Sequence, residues 1–418
     1  MAPPLRGHPA QDTALFEGRR RPSGGSPPSS ARGDLPRPPR FPLAGTVAEG
    51  ERVSVLEVAG WWVLRPDAAM AFRDPEILEA LPRYVRVARG EVEAQFVLAA
   101  RLKAPSGLSG ERAWEEHRAL LGELRDLIRE VDSGSPPPER PEFSLLDLKV
   151  RLARELASPC TLCERGCRVD RLSGAVGVCG VGGTPRVASA FIHMGEEPPI
   201  TPSGTIFFSG CNFRCVFCQN WDISQEPDSG RPVDAPYLAS LFEALRERGA
   251  RNVNLVGGEP TPNLPWILEA LRLTRVSVPV VWNSNMYMSE RAAELLLGVV
   301  DLWLPDFKYW DDSHALRYSS APRYREVVTR NLRMAYDYWP EMVIRHLVMP
   351  GHVDCCTVPL LRWIAENTPG ALVNVMDQYR PEYRARRFPE IARRPTREEV
   401  VRAREEAERL GLRWRSVS

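Results

Sequence analysis

From about residue 201 onward, short continuous apolar runs alternate with amphipathic segments. The six runs have the length and the β-branched content of buried strands, and they lie at residues 205–208, 253–256, 278–282, 299–304, 342–348 and 371–375. Apolar residues recur at helical spacing between them, as at 236–248, and Ser289 is a predicted N-cap for a helix over 292–297. Apolar strands separated by helices are typical of a parallel sheet covered on both faces. Six units predict an α/β fold with a partial (β/α)6, TIM-like barrel, whose chemistry lies at the carboxyl ends of the strands.

The residues before the barrel show other patterns. Residues 1–40 are rich in Pro, Gly, Ser and Arg, which predicts a disordered tail. Residues 41–133 predict a small α+β accessory domain, with strands at 53–58, 84–88 and 93–100 and a helix at 113–131.

A Ser-Gly-Ser-Pro-Pro-Pro linker begins at Ser133, and a helix is predicted near 144–157. Thr396 and Glu399 have the spacing of a capping box, which predicts a final helix to about residue 410. The predicted domains after the linker are therefore a helix plus cysteine module at 143–200, the barrel at 201–385 and a C-terminal helix at 386–418.

Composition narrows the function classes. The 418 residues include 55 basic and 54 acidic ones, for a net charge of +1, which argues against a surface that coats nucleic acid or binds membranes by charge. No apolar run approaches the roughly 18 residues of a membrane-spanning helix, and the first residues lack the apolar centre of a secretory signal. We therefore expect a cytoplasmic protein with no nucleic-acid or membrane partner. Its nine cysteines are then considered first as metal ligands or catalytic groups.

Cys211, Cys215 and Cys218 follow directly on the first apolar run. Thiolates favour soft metals and iron–sulfur clusters, and three ligands on a four-iron cubane leave one iron open for an exogenous ligand. Zinc would require a fourth Cys or His, and none lies within this loop. Inert buried thiols would have no reason to cluster at the end of a strand. The spacing predicts a [4Fe-4S] cluster.

A second set of thiols lies upstream, at Cys160, Cys163, Cys167 and Cys179. Four thiolates complete either a tetrahedral zinc site or the ligand set of a second [4Fe-4S] cluster, and spacing leaves both open. Cys355 and Cys356 are adjacent, which we expect to be poor geometry for one metal site, so they are predicted to be ordinary thiols.

The loop beginning at Ser209 has the pattern Cys-x3-Cys-x-aromatic-Cys, with Phe217 in the aromatic place. It resembles the radical S-adenosylmethionine (radical SAM) superfamily, in particular the members of the pyruvate formate-lyase-activating-enzyme-like branch that carry an upstream four-cysteine segment. The resemblance covers residues 143–385 and includes the stretches 195–200, 203–211 and 302–309.

The resemblance implies a barrel of the radical SAM type and a radical SAM oxidoreductase. It implies that the three cysteines hold a [4Fe-4S] cluster whose open iron binds S-adenosyl-L-methionine through its amino and carboxylate groups. Reductive cleavage then gives methionine and a 5′-deoxyadenosyl radical for hydrogen abstraction. The implied partners are a reductant such as a flavodoxin or ferredoxin, and a substrate that is either a glycyl-radical-type protein or a small molecule.

Gly257, Gly258 and Glu259 end the second apolar run, before Pro260. Glycines allow the backbone to approach a ligand closely, and a glutamate is a natural partner for an ammonium group, although an ordinary turn would have the same residues. By position they match the superfamily's Gly-Gly-Glu-Pro motif, which implies a contact with the methionine amino group.

Three polar residues close the third run: Asn283, Ser284 and Asn285. Their side chains suit hydrogen bonds to a ribose or a carboxylate, and turn formation explains them nearly as well. The resemblance implies that they contact the nucleoside, although relatives often have an acidic residue near Asn283. Arg345 is a candidate for bidentate binding of a carboxylate of the cofactor. His346 is expected to be a core histidine.

Two other function classes stay open at this point. One is a non-catalytic iron–sulfur electron carrier that kept the fold, whose cluster would not respond to S-adenosylmethionine. The other is a zinc-dependent interaction module centred on residues 160–179.

Overall fold

The computed structural model describes residues 61–415, and all of them belong to one compact unit. The predicted tail at 1–40 and the predicted strand at 53–58 lie outside these residues. The helices of the described part, α1 to α15 in chain order, are Trp61–Leu64, Pro66–Ala71, Pro75–Ala80, Pro82–Ala88, Gln95–Ala99, Gly110–Asp132, Leu145–Ala157, Trp221–Ser224, Ala235–Glu247, Leu264–Leu273, Glu290–Leu296, Asp312–Ser319, Tyr324–Tyr338, Val358–Asn367 and Arg397–Arg409. The strands, β1 to β9, are Arg186–His193, Ser203–Phe208, Arg231–Pro232, Val253–Gly257, Val280–Ser284, Leu302–Pro305, Val343–Leu347, Leu372–Met376 and Arg413–Arg415.

The six predicted apolar runs form the barrel strands β2, β4, β5, β6, β7 and β8. The first four pair in parallel in that order, and β7, β8 and β9 form a second parallel set. Parallel bridges from Trp303 to Met342 and from Asp306 to Arg345 connect β6 to β7. The antiparallel strand β1 pairs with β2 at the opposite edge. The predicted partial barrel is therefore confirmed, and within the described residues the sheet does not close on itself.

Burial and capping explain these elements. Every residue of β5 and β6 is buried, as expected for parallel strands covered by helices on both faces. Asp234 caps α9 by accepting a hydrogen bond from the Tyr237 N–H, and the predicted cap Ser289 accepts one from Ala292. The predicted capping box of Thr396 and Glu399 begins α15. The strand β9, which follows α15, was not predicted.

Two strands predicted in the accessory domain are helices, which corrects the sequence analysis. Residues 84–88 lie in α4 and residues 93–100 contain α5, and every regular element between 61 and 132 is helical. Pro82 presets the first turn of α4. The Glu341 carboxylate accepts hydrogen bonds from the Arg83 and Tyr84 N–H groups, at 2.9 and 2.6 Å. Glu341 lies just before β7, far from α4 in sequence. The alternation of Val and Tyr within residues 84–88 therefore could not reveal this cap.

The same helices share a hydrophobic core with the barrel. Lys149 of α7 is fully buried, and its ammonium nitrogen lies 2.8 Å from both His117 Nε2 of α6 and the Leu297 carbonyl after α11. Burial lowers the pKa of Lys149 and of His117. The long helix α6 is thereby attached to the helical layer of the barrel. No helix among residues 61–415 combines the length and hydropathy that crossing a membrane requires.

Candidate active site at the carboxyl ends of the strands

The loop that carries Cys211, Cys215 and Cys218 leaves the carboxyl end of β2. Helix α12 holds it from one side, because the Ser319 and Tyr318 carbonyls accept hydrogen bonds from the Arg214 and Val216 N–H groups at 3.0 and 2.8 Å. All three cysteines are free thiols in the structure. The fold therefore places the predicted cluster ligands where parallel barrels carry their chemistry.

Each of the three sulfur atoms has a hydrogen-bonding neighbour. The Phe213 N–H donates to Cys211 Sγ at 3.3 Å, the Ser319 hydroxyl lies 3.0 Å from Cys215 Sγ, and the Ser224 hydroxyl lies 3.2 Å from Cys218 Sγ. A thiolate only accepts, so both hydroxyls would donate to a metal-bound sulfur. Such contacts orient ligands and tune a bound metal. The donor set fits a cluster with three thiolate ligands.

Burial raises the pKa of all three thiols, and it raises that of Cys215 to about 11. Without a bound cation the three groups stay protonated at neutral pH. Binding of iron removes these protons, since metal ligation requires the thiolate.

The glycines Gly257 and Gly258 bring the end of β4 against the end of β2. Gly257 has a φ of +114°, and a Cβ there would lie 2.2 Å from the Phe208 nitrogen. A Cβ on Gly258 would lie 2.0 Å from the Gly210 carbonyl oxygen. The close approach that these glycines permit is therefore to the strand and loop that carry the cysteines, and their contact with a cofactor stays a prediction.

Glu259 is buried, with 2% of its surface exposed, and lies at the centre of a hydrogen-bond network. Its carboxylate accepts four hydrogen bonds: from the Thr261 N–H and hydroxyl at 3.2 and 2.5 Å, from the Ser284 hydroxyl at 2.6 Å and from the Asn285 N–H at 2.9 Å. Burial raises the pKa of Glu259, and these hydrogen bonds oppose the increase. Among the described residues no cationic side chain forms an ion pair with it.

Two of the predicted polar residues at the end of β5, Ser284 and Asn285, belong to this hydrogen-bond network. The Asn285 side chain donates to Asn212 Oδ1 at 2.8 Å and reaches Cys211 Sγ at 3.9 Å, so it links the Glu259 carboxylate to the cysteine loop. Asn283 is buried in β5 next to Ser284. The structure thus brings Glu259, Ser284, Asn285 and the cysteines together.

Arg345 lies in a different network. Its guanidinium donates to Glu197 Oε1 at 2.7 Å and pairs with Glu196. Asn254 of β4 and Asn374 of β8 donate to the same two carboxylates. Side chains from β4, β7 and β8 thus converge on the loop between β1 and β2. The carboxylates that Arg345 binds are the protein's own.

Two further polar residues near the strand ends have their partners within the chain. Lys308 pairs with Asp306. His346 is a satisfied core histidine: its Nδ1–H donates to the Phe307 carbonyl, and the Thr357 hydroxyl donates to its Nε2, both at 2.8 Å. Burial lowers the pKa of His346 to about 4, so it is neutral.

The second cysteine set lies directly against the first. Its four members line one small pocket, together with Arg171 and Pro262: Cys160, Cys163, Cys167 and Cys179. The Cys211 N–H donates to the Cys179 carbonyl at 3.1 Å, and the Arg165 guanidinium donates to the Asn212 carbonyl at 2.7 Å. The pocket fits a group bound by four thiolates, as a zinc ion or a second [4Fe-4S] cluster would be.

Sequence reasoning missed several residues of the site. Thr261 follows Glu259 by two positions, and that proximity was its only signal. Ser319 and Ser224 contact cluster thiols from α12 and α8, and nothing in their local sequence marks them.

Comparisons with known proteins show what this chain is similar to. Residues 205–364 match the radical SAM superfamily. An uncharacterized protein of Methanocaldococcus jannaschii is 40% identical over 340 residues, which cover 79% of this chain and 98% of that protein. The pyruvate formate-lyase-activating enzyme of Staphylococcus aureus is 26% identical over 160 residues, which cover 36% of this chain and 62% of the enzyme. Among solved structures, Streptococcus suis SuiB bound to S-adenosylmethionine aligns with a TM-score of 0.41 and 13% identity, over 50% of this chain and 48% of SuiB.

Proposed function

The chain belongs to the radical SAM superfamily, and we propose that it cleaves S-adenosylmethionine reductively at a [4Fe-4S] cluster held by Cys211, Cys215 and Cys218. The observation that carries the proposal is the position of Glu259. Its buried carboxylate accepts four hydrogen bonds, has no cationic partner among the described residues, and is joined through Asn285 to the cysteine loop. A ligand that presents an ammonium group beside a cluster would complete this arrangement.

The residues of the chain would act by position and charge. The Glu259 carboxylate pairs with the amino group of the methionine moiety. Ser284 and Asn285 hold the Glu259 carboxylate in place. A [4Fe-4S] cluster held by the three cysteines would supply the electron that reductive cleavage of the sulfonium bond requires. Phe217, in the aromatic place of the cysteine loop, is buried and packs against Tyr379 at a centroid distance of 5.7 Å.

We propose a protein or peptide substrate. Support comes from the similarity to an enzyme whose name states that it activates pyruvate formate-lyase. Reductive cleavage consumes one electron, so the proposal includes a one-electron donor such as a flavodoxin or ferredoxin.

For the pocket of four cysteines we propose a bound metal centre, either zinc or a second [4Fe-4S] cluster. Both are compatible with four thiolates. Iron analysis of anaerobically purified protein separates them: about four irons per chain favours zinc and about eight favours a second cluster.

The experiment that tests the function is anaerobic reconstitution with iron and sulfide, followed by dithionite and S-adenosylmethionine. We expect 5′-deoxyadenosine from the wild type and from Val401→Ala, an exposed control position on α15. We expect none from Cys215→Ala. A fully loaded wild type that produces no 5′-deoxyadenosine, and whose EPR signal ignores S-adenosylmethionine, would instead identify an electron carrier.

A further inference from the structure

Three metal-binding side chains outside both cysteine sets lie close together on α12 and after β7. His314 Nδ1 is 3.7 Å from Cys355 Sγ and 3.6 Å from Cys356 Sγ, and the two sulfur atoms are 4.0 Å apart. Among the described residues these three could share one ion. The fold thus brings the two adjacent cysteines, which the sequence analysis takes as ordinary thiols, within reach of one shared ion.

The reason is the backbone that carries the two cysteines. Residues Val353–Thr357 form a π-helical turn, in which the Thr357 N–H donates to the His352 carbonyl at 3.2 Å. A π turn is wider than an α-helical one, and such turns often occur at functional sites. It directs both thiols of neighbouring residues toward the same histidine.

The distances match those of one tetrahedral ion. With a zinc–sulfur bond of 2.3 Å and a zinc–nitrogen bond near 2.0 Å, tetrahedral geometry separates two sulfurs by about 3.8 Å and a sulfur from a nitrogen by about 3.5 Å. We propose that His314 Nδ1, Cys355 Sγ and Cys356 Sγ bind one zinc ion. Binding displaces the two thiol protons to solvent, and water or an exogenous ligand fills the fourth position.

The surroundings orient the histidine and leave a path for the ion. The His314 ring stacks on Tyr318 and meets the edge of His352 at a centroid distance of 4.4 Å. His352 itself is not the fourth ligand, because its Nδ1–H donates to the Pro350 carbonyl at 2.7 Å and its Nε2 lies 3.2 Å from the Tyr318 hydroxyl. Cys355 and His314 are partly exposed, so an ion can enter from solvent.

The site has a structural consequence for the cysteine loop. His314 lies in the first turn of α12, and the last residue of that helix, Ser319, lies 3.0 Å from Cys215 Sγ. A metal ion at this place ties α12 to the segment after β7, and α12 supports the loop of the proposed cluster. The inference does not depend on what that cluster catalyses.

The test compares metal content in the full chain, purified without oxygen. We expect the double variant Cys355→Ser/Cys356→Ser and the single variant His314→Gln to contain one zinc equivalent less than the wild type, with unchanged iron. Asp354→Asn, at an exposed neighbouring position that pairs with Arg402 of α15, is the matched control and should keep its zinc. Equal zinc in wild type and in both site variants would overturn the proposal.

Two further measurements probe the metal ligands directly. Zinc supplied at one equivalent should slow alkylation of Cys355 and Cys356, and a chelator should restore it. Cobalt(II) in place of zinc should give thiolate-to-cobalt charge-transfer absorption that disappears with His314→Gln. Alkylation that ignores zinc, or a Cys355–Cys356 disulfide in the anaerobic protein, would contradict the site.

Discussion

The barrel contains two buried groups of carboxylates that differ in what neutralises them. Glu196 and Glu197 share the guanidinium of Arg345 and accept further hydrogen bonds from Asn254 and Asn374. Glu259 is equally buried, yet its partners are hydroxyl and N–H groups only. The negative charge of the first group is paired with Arg345. The carboxylate of Glu259 has no cationic partner among the described residues.

The difference separates a structural network from a binding site. A buried charge without a partner costs several kcal/mol unless hydrogen bonds or a counter-charge compensate for it. For Glu196, burial raises the pKa, but the pairing with Arg345 and His193 outweighs it and brings the pKa to about 2. For Glu259, burial dominates and the pKa is raised. Of these two groups, the one without a cation lies beside the cysteine loop, which is where a cationic ligand would contribute its own charge.

The largest expected effect comes from breaking the complete network. Arg345→Met leaves two buried carboxylates without their cation, and we expect it to reduce the free energy of unfolding by about 3–5 kcal/mol. Urea denaturation measures this loss. Replacing Glu196 and Glu197 by Gln in the same chain should recover most of it.

The same variant separates structure from cofactor binding. If Arg345 serves only the network, S-adenosylmethionine affinity per folded molecule is unchanged in Arg345→Met. A large loss of affinity with intact stability would show instead that Arg345 contacts the cofactor, as its sequence position suggested.

Glu259→Gln should do the reverse of Arg345→Met: it should weaken the binding of S-adenosylmethionine and leave the fold intact. The change in free energy should also be smaller. It removes the charge but keeps the shape, so the fold and the cluster are retained. We expect S-adenosylmethionine to bind roughly 10- to 100-fold more weakly, since a hydrogen bond to a charged group contributes about 1.5–3 kcal/mol. Equilibrium dialysis on the anaerobic protein measures the affinity. Glu123→Gln, on the exposed face of α6, is the matched control, and equal weakening in both variants would remove Glu259 from the binding site.

Local patterns were sufficient for much of this fold. The six barrel strands are mostly apolar runs because both of their faces are buried. The cysteine loop and the Gly-Gly-Glu-Pro turn are each one continuous stretch of sequence. Each stands at the end of an apolar run, and this predicted its place at the end of a strand. The structure brings them together as the parallel topology requires.

What escaped prediction depends on residues distant in sequence. Glu341, which follows β6 in sequence, caps α4 with its carboxylate. The run around Tyr84 has the pattern of a strand, and this cap stabilises it as a helix. Arg345 pairs with Glu196 and Glu197, which lie about 150 residues before it in sequence, and its contact with a cofactor stays a prediction. His314 gives the neighbouring cysteines Cys355 and Cys356 a shared partner that their own sequence does not contain.

The smallest expected effect is the pH dependence of stability, and it has opposite signs in the two networks. The pKa of Glu196 is about 2 in the folded chain against 4.5 unfolded, so its contribution is present above pH 4.5 and is lost as the pH falls toward 2. The pKa of Glu259 is raised, so its contribution is complete below pH 4.5 and is lost as the pH rises through the folded pKa.

Unfolding of the wild type, Glu196→Gln and Glu259→Gln across this pH range tests both signs. Relative to the wild type, Glu259→Gln should gain stability as the pH rises above 4.5, and Glu196→Gln should lose its disadvantage below that pH. Added S-adenosylmethionine should reverse the trend for Glu259, because an ammonium group beside the carboxylate lowers its pKa. Parallel curves for Glu259→Gln and the wild type above pH 4.5, without ligand, would mean that the carboxylate is already compensated, and the distinction between the two networks would then fail.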